Sequence, residues 1–448
     1  MHELLISTAE RAIRYLESLN ERSVAPDPSI VARLVELDFP LPNHPSQAEE
    51  TVALLDSFSN ATMAMAGPRF FGFVIGGSLP ATLAANWLAG AWDQNSAFVA
   101  GTPLTAKLED VALQWLRDVL GLPSETGVGF VTGATMANFT CLSAARHTVL
   151  KQAGWDVEAD GMFGAPPVTV VVGDEAHPTL FKSLGLAGFG RNRVVRVPVD
   201  KQGRMRPDMF PNLSGPTIVC LQAGNVNTGA FDPASEIIPK AKAANAWVHV
   251  DGAFGLWAAA APSKAQLMAG YTDADSWATD AHKYLNTPYD SGLAFVRYPH
   301  VLEAAMAVSA SYLPSSSTRD PANFTPELSR RARGVEVWAA LHTLGRSGLA
   351  DLVERTCHYA ARFAEGLRAA GYSILNEVLF NQVLVTFGDD ERTLHVIEGI
   401  QQDGTCWCGG TVWQGQTAMR ISVSSWATTD ADVERSLEAM LRIAREQV

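Results

Sequence analysis

Four stretches of this chain carry residue types and spacings that could do chemistry. TDAHKYLN sets Lys283 beside His282, directly after the apolar stretch ADSWA. A desolvated or cation-flanked lysine gives up its proton more readily than a solvated one and becomes a nucleophile toward carbonyls, forming Schiff bases. HVDGAFG puts Asp251 at the exit of an apolar strand, where a carboxylate must face a cation or hydrogen-bond donors to stay charged. Asp251 and Lys283 stand 32 residues apart (283 minus 251), about one strand-helix-strand unit, which would place both at the same end of neighbouring strands.

The third stretch, VTGATMANFTCLSAAR, reads as a strand, a small-residue turn at Thr132 to Thr135 including Gly133 and Ala134, and a helix starting near Met136. Free N–H groups at a helix start, the positive end of its dipole and the Thr135 hydroxyl together make a phosphate seat. The fourth is GDEAHPTL, where His177 could lie flat against a ring. Each feature alone has a plainer reading: an ordinary strand-to-helix turn, a cap or turn aspartate, a solvated loop lysine, a turn histidine. Neither G-x-x-x-x-G-K-[ST] nor G-x-G-x-x-G occurs, so nucleotide binding loses support. An anion seat, a carboxylate for a ring nitrogen and a lysine for an aldehyde are what pyridoxal phosphate requires, and here all three fall at strand ends.

The elements that must position them are β-rich runs alternating with helical stretches from about Val128: VGFVT, VTVVV, RVVRV, TIVCL, WVHV, DSWAT and GLAFVR. That rhythm predicts an α/β domain with a largely parallel sheet, whose ligand lies beyond the carboxyl ends of the strands. Loops TGATMAN, GDEAH, QAGNVNTG, DGAFG and DAHK are therefore expected to converge. Residues 1–66 have helical spacing broken by SVAPDPS and FPLPNHP and read as an arm, which would lie against another surface such as a second subunit. Residues 67–335 form the large domain. Residues 336–448, a long helical stretch followed by NQVLVTF, MRISVSS and a last helix, form a smaller α+β domain.

Composition narrows the partners. At 448 residues the chain exceeds one ordinary core, and its formal charge of -13 offers no clustered cations for nucleic acid. No apolar run reaches the length of a membrane span, and the amphipathic N-terminus is unlike a signal peptide, so the expected location is the cytoplasm. Five scattered cysteines suit reduced thiols, and Cys406 and Cys408 with only His395 nearby lack a zinc ligand set, so no metal is expected.

With these stretches in hand, the sequence resembles the group II pyridoxal-phosphate-dependent amino acid decarboxylases, the family of the aromatic L-amino acid and glutamate decarboxylases. PRFFGF, TGATMAN, DEAH, HVDGAFG, DAHKYLN, ELSRRARGVEVWAAL and RISVSSW carry the likeness, in family order over nearly the whole chain. The resemblance implies a fold-type-I homodimer acting on a small amino acid. It implies Lys283 as the cofactor's covalent anchor, Asp251 on the pyridine nitrogen, His177 stacked on the ring and Ala253 on its other face. Ala134, Thr135 and His282 would hold the phosphate.

Two departures bear on the reaction. Family members carry a tyrosine on a mobile loop before the RR-x-R segment that returns a proton to the α-carbon. Here that loop offers only Tyr312 and Phe324, so Lys283 or a water held by His177 would have to serve. The alternatives to decarboxylation are then an aldehyde synthase, a carbon-carbon lyase or an aminotransferase, the last with Arg420 as the α-carboxylate holder or else as a strand-edge residue. The second departure is Asn225, beside the cofactor where relatives often have threonine. It adds a donor and an acceptor, or else is a neutral exchange. The stretch FFGFVIGGSLP, which lines the substrate pocket in relatives, is apolar and favours an aromatic or other apolar substrate over glutamate.

Overall fold

The structure, a computed structural model, describes residues 1–308 and 318–446; Tyr312 lies outside them. The chain forms two compact units. One contains Met1–Gly77, Ala361–Leu375 and Val383–Val448, the other Ser78–Ala360 and Asn376–Gln382. These boundaries follow contacts between segments distant in sequence, which composition read along the chain does not register.

The second unit is built on seven strands: β1 (Gly127–Val131), β2 (Thr169–Gly173), β3 (Val195–Val197), β4 (Thr217–Gln222), β5 (Trp247–Asp251), β6 (Ser276–Asp280) and β7 (Gly292–Val296). β1, β5, β6 and β7 are buried along their whole length, as expected of short apolar runs covered on both faces. Their order is β1-β7-β6-β5-β4-β2-β3. β3, β2, β4, β5 and β6 pair in parallel, and β7 runs against both β1 and β6. β1 therefore points the same way as β6. The carboxyl ends of β1, β2, β4, β5 and β6 share one edge, and the five quoted loops leave from it.

The helix Ala134–Gln152 starts two residues earlier than its sequence suggests and packs on β5, β6 and β7 through Ala137, Cys141, Leu142, Ala144 and Ala145. Its start is set by a close backbone approach. A Cβ on Gly292 would lie 2.4 Å from the Cα of Gly133, so only glycine lets the turn settle against β7.

The loop after β4 is closed by Asp232, which is buried and accepts from the backbone N–H groups of Met205 and Gln222, each at 2.7 Å. Burial pushes its carboxyl up to about 6 from 3.8. Between these values the folded protein binds more protons than the unfolded chain, so this group's contribution to stability is fully present below pH 3.8 and is lost as pH rises through 6. The loss is up to about 3 kcal/mol. Urea unfolding of Asp232→Asn at pH 4 and pH 7 is expected to lack that slope, and an unchanged slope would contradict the assignment.

The RR-x-R segment is structural. Arg330 is buried, paired with the buried Glu109 at 2.7 Å, and donates to the carbonyls of Ser96 and Phe130 at 2.7 and 3.0 Å. Arg331 pairs with Glu336, and Arg333 with Asp290 at 2.9 Å. Among the described residues, Arg330→Met leaves Glu109 with only the more distant Arg319 as an ion partner, 3.4 Å away, and is expected to cost about 3 kcal/mol in a denaturant titration. A cost below about 1 kcal/mol, typical of an exposed pair, would contradict this reading.

The first unit holds a four-stranded sheet, β8 (Ser373–Ile374), β9 (Gln382–Thr386), β10 (Gly409–Trp413) and β11 (Gln416–Ser422), in the order β10-β11-β9-β8. Here PRFFGF is a packing element. Arg69 donates to the carbonyl of Thr405 and pairs with Asp432, Phe70 stacks on Trp407 at 5.1 Å, and Phe71 meets Phe363 edge-on. Cys406 and Cys408 are buried free thiols, and no metal-binding cluster occurs among the described residues.

Candidate active site

At the shared strand edge lies a cavity of about 270 Å³ within the second unit. Its walls bring together Gly133, Ala134 and Thr135 after β1, His177 after β2, Asp251 and Ala253 at the end of β5, and His282 and Lys283 after β6. Eight of the nine residues that the sequence places at the cofactor line this one cavity.

Asn225 does not line it. The side-chain oxygen of Asn225 accepts from the N–H groups of Asn227 and Thr228 at 2.9 and 3.1 Å, while its side-chain amide donates to Gln222 and to the Glu175 carbonyl. Its side chain holds the shape of its own turn, and the loop's lining residues are Gly224 and Val226. Its side chain is thus engaged in its own turn, between two residues that line the cavity.

Lys283 answers to a residue that the sequence reading left without a role. Its amine lies 2.9 Å from the carboxylate of Asp280, the last residue of β6, whose side chain is 4% exposed against 18% for the lysine. The other Asp280 oxygen accepts from the N–H of Ala134 at 2.5 Å and lies 3.5 Å from Nε2 of His282. Asp280 thus ties the lysine to the first N–H of the helix Ala134–Gln152. Its signal was the spacing of three residues from Lys283, legible only once β6 is known to end there.

His282 is buried, which lowers its pKa and favours the neutral ring. Its Nδ1 accepts from the N–H of Ser291 at 3.1 Å, so the ring proton sits on Nε2, facing the helix start. Tyr289 stacks on the ring at 4.2 Å. A neutral imidazole donor beside a helix N-terminus suits an anion.

His177 caps the helix Pro178–Leu186. The N–H of Thr179 donates to its Nδ1 at 3.3 Å, with the Thr179 hydroxyl 2.7 Å away, which places its proton on Nε2 as well. Asp251, 4% exposed, accepts from the amide of Asn138 at 3.0 Å and from the N–H of Ala253 at 3.2 Å. Phe254 and Gln222 complete the walls, and the Phe254 ring centroid lies 6.0 Å from Nζ of Lys283.

These groups fit pyridoxal phosphate. One face offers a lysine amine with a helix start and a neutral histidine donor, and another offers a buried carboxylate already supplied with donors. Ala134, Thr135 and His282 could hold the phosphate, Asp251 the ring nitrogen, His177 and Ala253 the ring faces, and Lys283 the aldehyde.

Phe324 is not at the cavity. It is buried against β1, where a Cβ on Gly129 would meet its carbonyl oxygen at 2.1 Å, and Arg319 lies 4.5 Å over its ring. Arg420 lies in β11 of the first unit, and residues 70–77 also belong to that unit; none is among the lining residues.

The fold and the site together define a pyridoxal-phosphate enzyme of fold type I. The pyridoxal-dependent decarboxylase conserved domain matches residues 41–387, well over half of the chain, and the chain belongs to that family. It is 26% identical over 425 residues to tryptophan decarboxylase 1 of Oryza sativa subsp. japonica, covering 86% of this chain and 81% of the relative. It is 25% identical over 377 residues to 4-hydroxyphenylacetaldehyde synthase of Rhodiola rosea, covering 78% and 74%. Among solved structures, Oryza sativa TDC with PLP and tryptamine superposes with a TM-score of 0.91 at 23% identity over 99% of this chain and 97% of that one. The helix His2–Ser18 and its neighbours are part of the likeness, and among the described residues no helix is long and apolar enough to cross a membrane.

Proposed function

We propose that the chain decarboxylates an aromatic or other apolar L-amino acid, with Lys283 as the covalent anchor of the cofactor and Asp251 as the partner of its ring nitrogen. The observation that carries this is the convergence of amine, carboxylate and anion seat in one cavity at the strand edge. Bound pyridoxal phosphate supplies the sink for the electron pair left when carbon dioxide departs. The chain's own groups do the rest. Asp251 offers an acceptor already fixed by two donors, His177 holds a proton on Nε2 at the cavity wall, and Asp280 takes up the positive charge of Lys283 whenever that amine is free. Val226, Ala253 and Phe254 give the cavity an apolar portion beside these polar groups.

The preference for an aromatic or apolar substrate rests on the likeness to a tryptophan decarboxylase. A second reading, the aldehyde synthase, is supported by the relative of that activity. Two copies of the chain are inferred to associate through the N-terminal helices, where Leu5, Ile6 and Ile13 are exposed. Five buried free cysteines support a reducing, cytoplasmic setting.

The test offers the loaded protein tryptophan, tyrosine, phenylalanine, glutamate and 2,4-diaminobutyrate and measures carbon dioxide with the organic product. Equimolar amine and carbon dioxide from the aromatic substrates are expected. Aldehyde with ammonia, peroxide and oxygen uptake in place of amine would overturn simple decarboxylation in favour of the second reading.

A further inference from the structure

Behind Asp251 the strands β5 and β6 and the helix Ala134–Gln152 enclose a line of polar side chains in an otherwise apolar core. The indole N–H of Trp247 lies 2.9 Å from the hydroxyl oxygen of Ser276, and that hydroxyl lies 2.9 Å from Nδ1 of His249. Nε2 of His249 lies 2.8 Å from the side-chain oxygen of Asn138, whose amide nitrogen lies 3.0 Å from Asp251. Asn138, His249 and Ser276 are fully buried, so none of these groups can turn to water instead.

The two ends of the line fix its direction. An indole N–H can only donate, so Ser276 accepts from Trp247 and has its own proton to give. At the other end a carboxylate needs a donor, which obliges Asn138 to present its amide to Asp251 and its oxygen to His249. Nε2 of His249 must then donate and Nδ1 must accept, the neutral tautomer that full burial also favours by lowering the ring's pKa to about 3. The Ser276 hydroxyl also borders Cys141, whose thiol donates to the carbonyls of Trp277 and Phe295. Reversing any link would set two donors or two acceptors against each other in the core.

We propose that Asn138 and His249 are positioning residues of the cofactor site, the last links of a one-way donor relay from Trp247 that holds Asp251 as an oriented acceptor for the protonated ring nitrogen. This rests on the proposed role of Asp251. The relay touches neither substrate nor cofactor. It acts by fixing which lone pairs of Asp251 remain for the ring and by preventing the carboxylate from rotating away when the cavity is filled.

The test uses full-length protein loaded with pyridoxal phosphate carrying 15N in the ring, whose chemical shift reads protonation of that nitrogen, together with the dissociation constant for the cofactor. Asn138→Ala and His249→Leu remove links. His249→Gln keeps an N–H donor toward Asn138, and Asp251→Asn removes the acceptor itself. Wild type and His249→Gln are expected to show the protonated shift. Asn138→Ala and His249→Leu are expected to move toward the unprotonated shift and to bind the cofactor on the order of tenfold more weakly. If His249→Leu fails to fold, Asn138→Ala, which adds no bulk, carries the same comparison. Wild-type shift and affinity in a folded Asn138→Ala, with Asp251→Asn altered, would overturn the relay alone. An unaltered Asp251→Asn would overturn the role of Asp251 on which the relay depends.

Discussion

Lys283→Arg is expected to leave a folded protein whose release of carbon dioxide from its best amino acid falls by roughly 10³-fold or more. The arginine keeps a cation beside Asp280, so the buried carboxylate is not stranded, yet a guanidinium stays protonated and cannot add to an aldehyde. Lys283→Ala removes the charge as well. It leaves Asp280 with the Ala134 N–H and His282 alone, so a further loss of about 3 kcal/mol of stability should appear in thermal or denaturant unfolding. Measuring both variants separates chemistry from structure. Equal activity loss with unequal stability is the expected pattern. An active Lys283→Arg protein would remove the lysine from the reaction.

Asp251→Asn should be the next most damaging change. The substitution conserves volume and can still accept from Asn138, but it replaces a charge at the cavity wall with a neutral amide and turns an N–H toward that of Ala253. Loss of a preorganised charge in a water-poor site costs on the order of 10²- to 10³-fold in turnover. The expected result is a fall of that size in kcat with a change in the visible absorbance of the bound cofactor. A variant within about threefold of wild type would show that the carboxylate is a structural turn residue, the plainer reading of an isolated Asp-Gly.

Much of the architecture was legible because buried parallel strands leave a strong trace: short runs of Val, Ile, Phe and Trp that end in small or polar residues. VGFVT, TIVCL, WVHV and DSWAT fall on β1, β4, β5 and β6, and their exits supply the cavity. Residues that act through long-range geometry left no such trace. Asp280 reads as one more strand-end acid until the N–H of Ala134, 146 positions earlier, is found against it. His249 and Ser276 look like polar interruptions of apolar strands, and only the sheet register sets them side by side, with His249 reaching Asn138. Asn225 shows the converse, since its sequence neighbours line the cavity while its own turn uses its side chain. The two compact units were similarly hidden, because residues 1–77 and 383–448 meet only in the folded chain.

The most direct test loads the wild-type protein with pyridoxal phosphate, reduces it with borohydride so that the carbonyl carbon is fixed to its amine, and maps the labelled peptide by mass spectrometry. A single pyridoxyl group on Lys283, in the peptide containing DAHKYLN, is the expected result. A label on another lysine, or none in protein that still releases carbon dioxide, would contradict the assignment of this cavity as the active site.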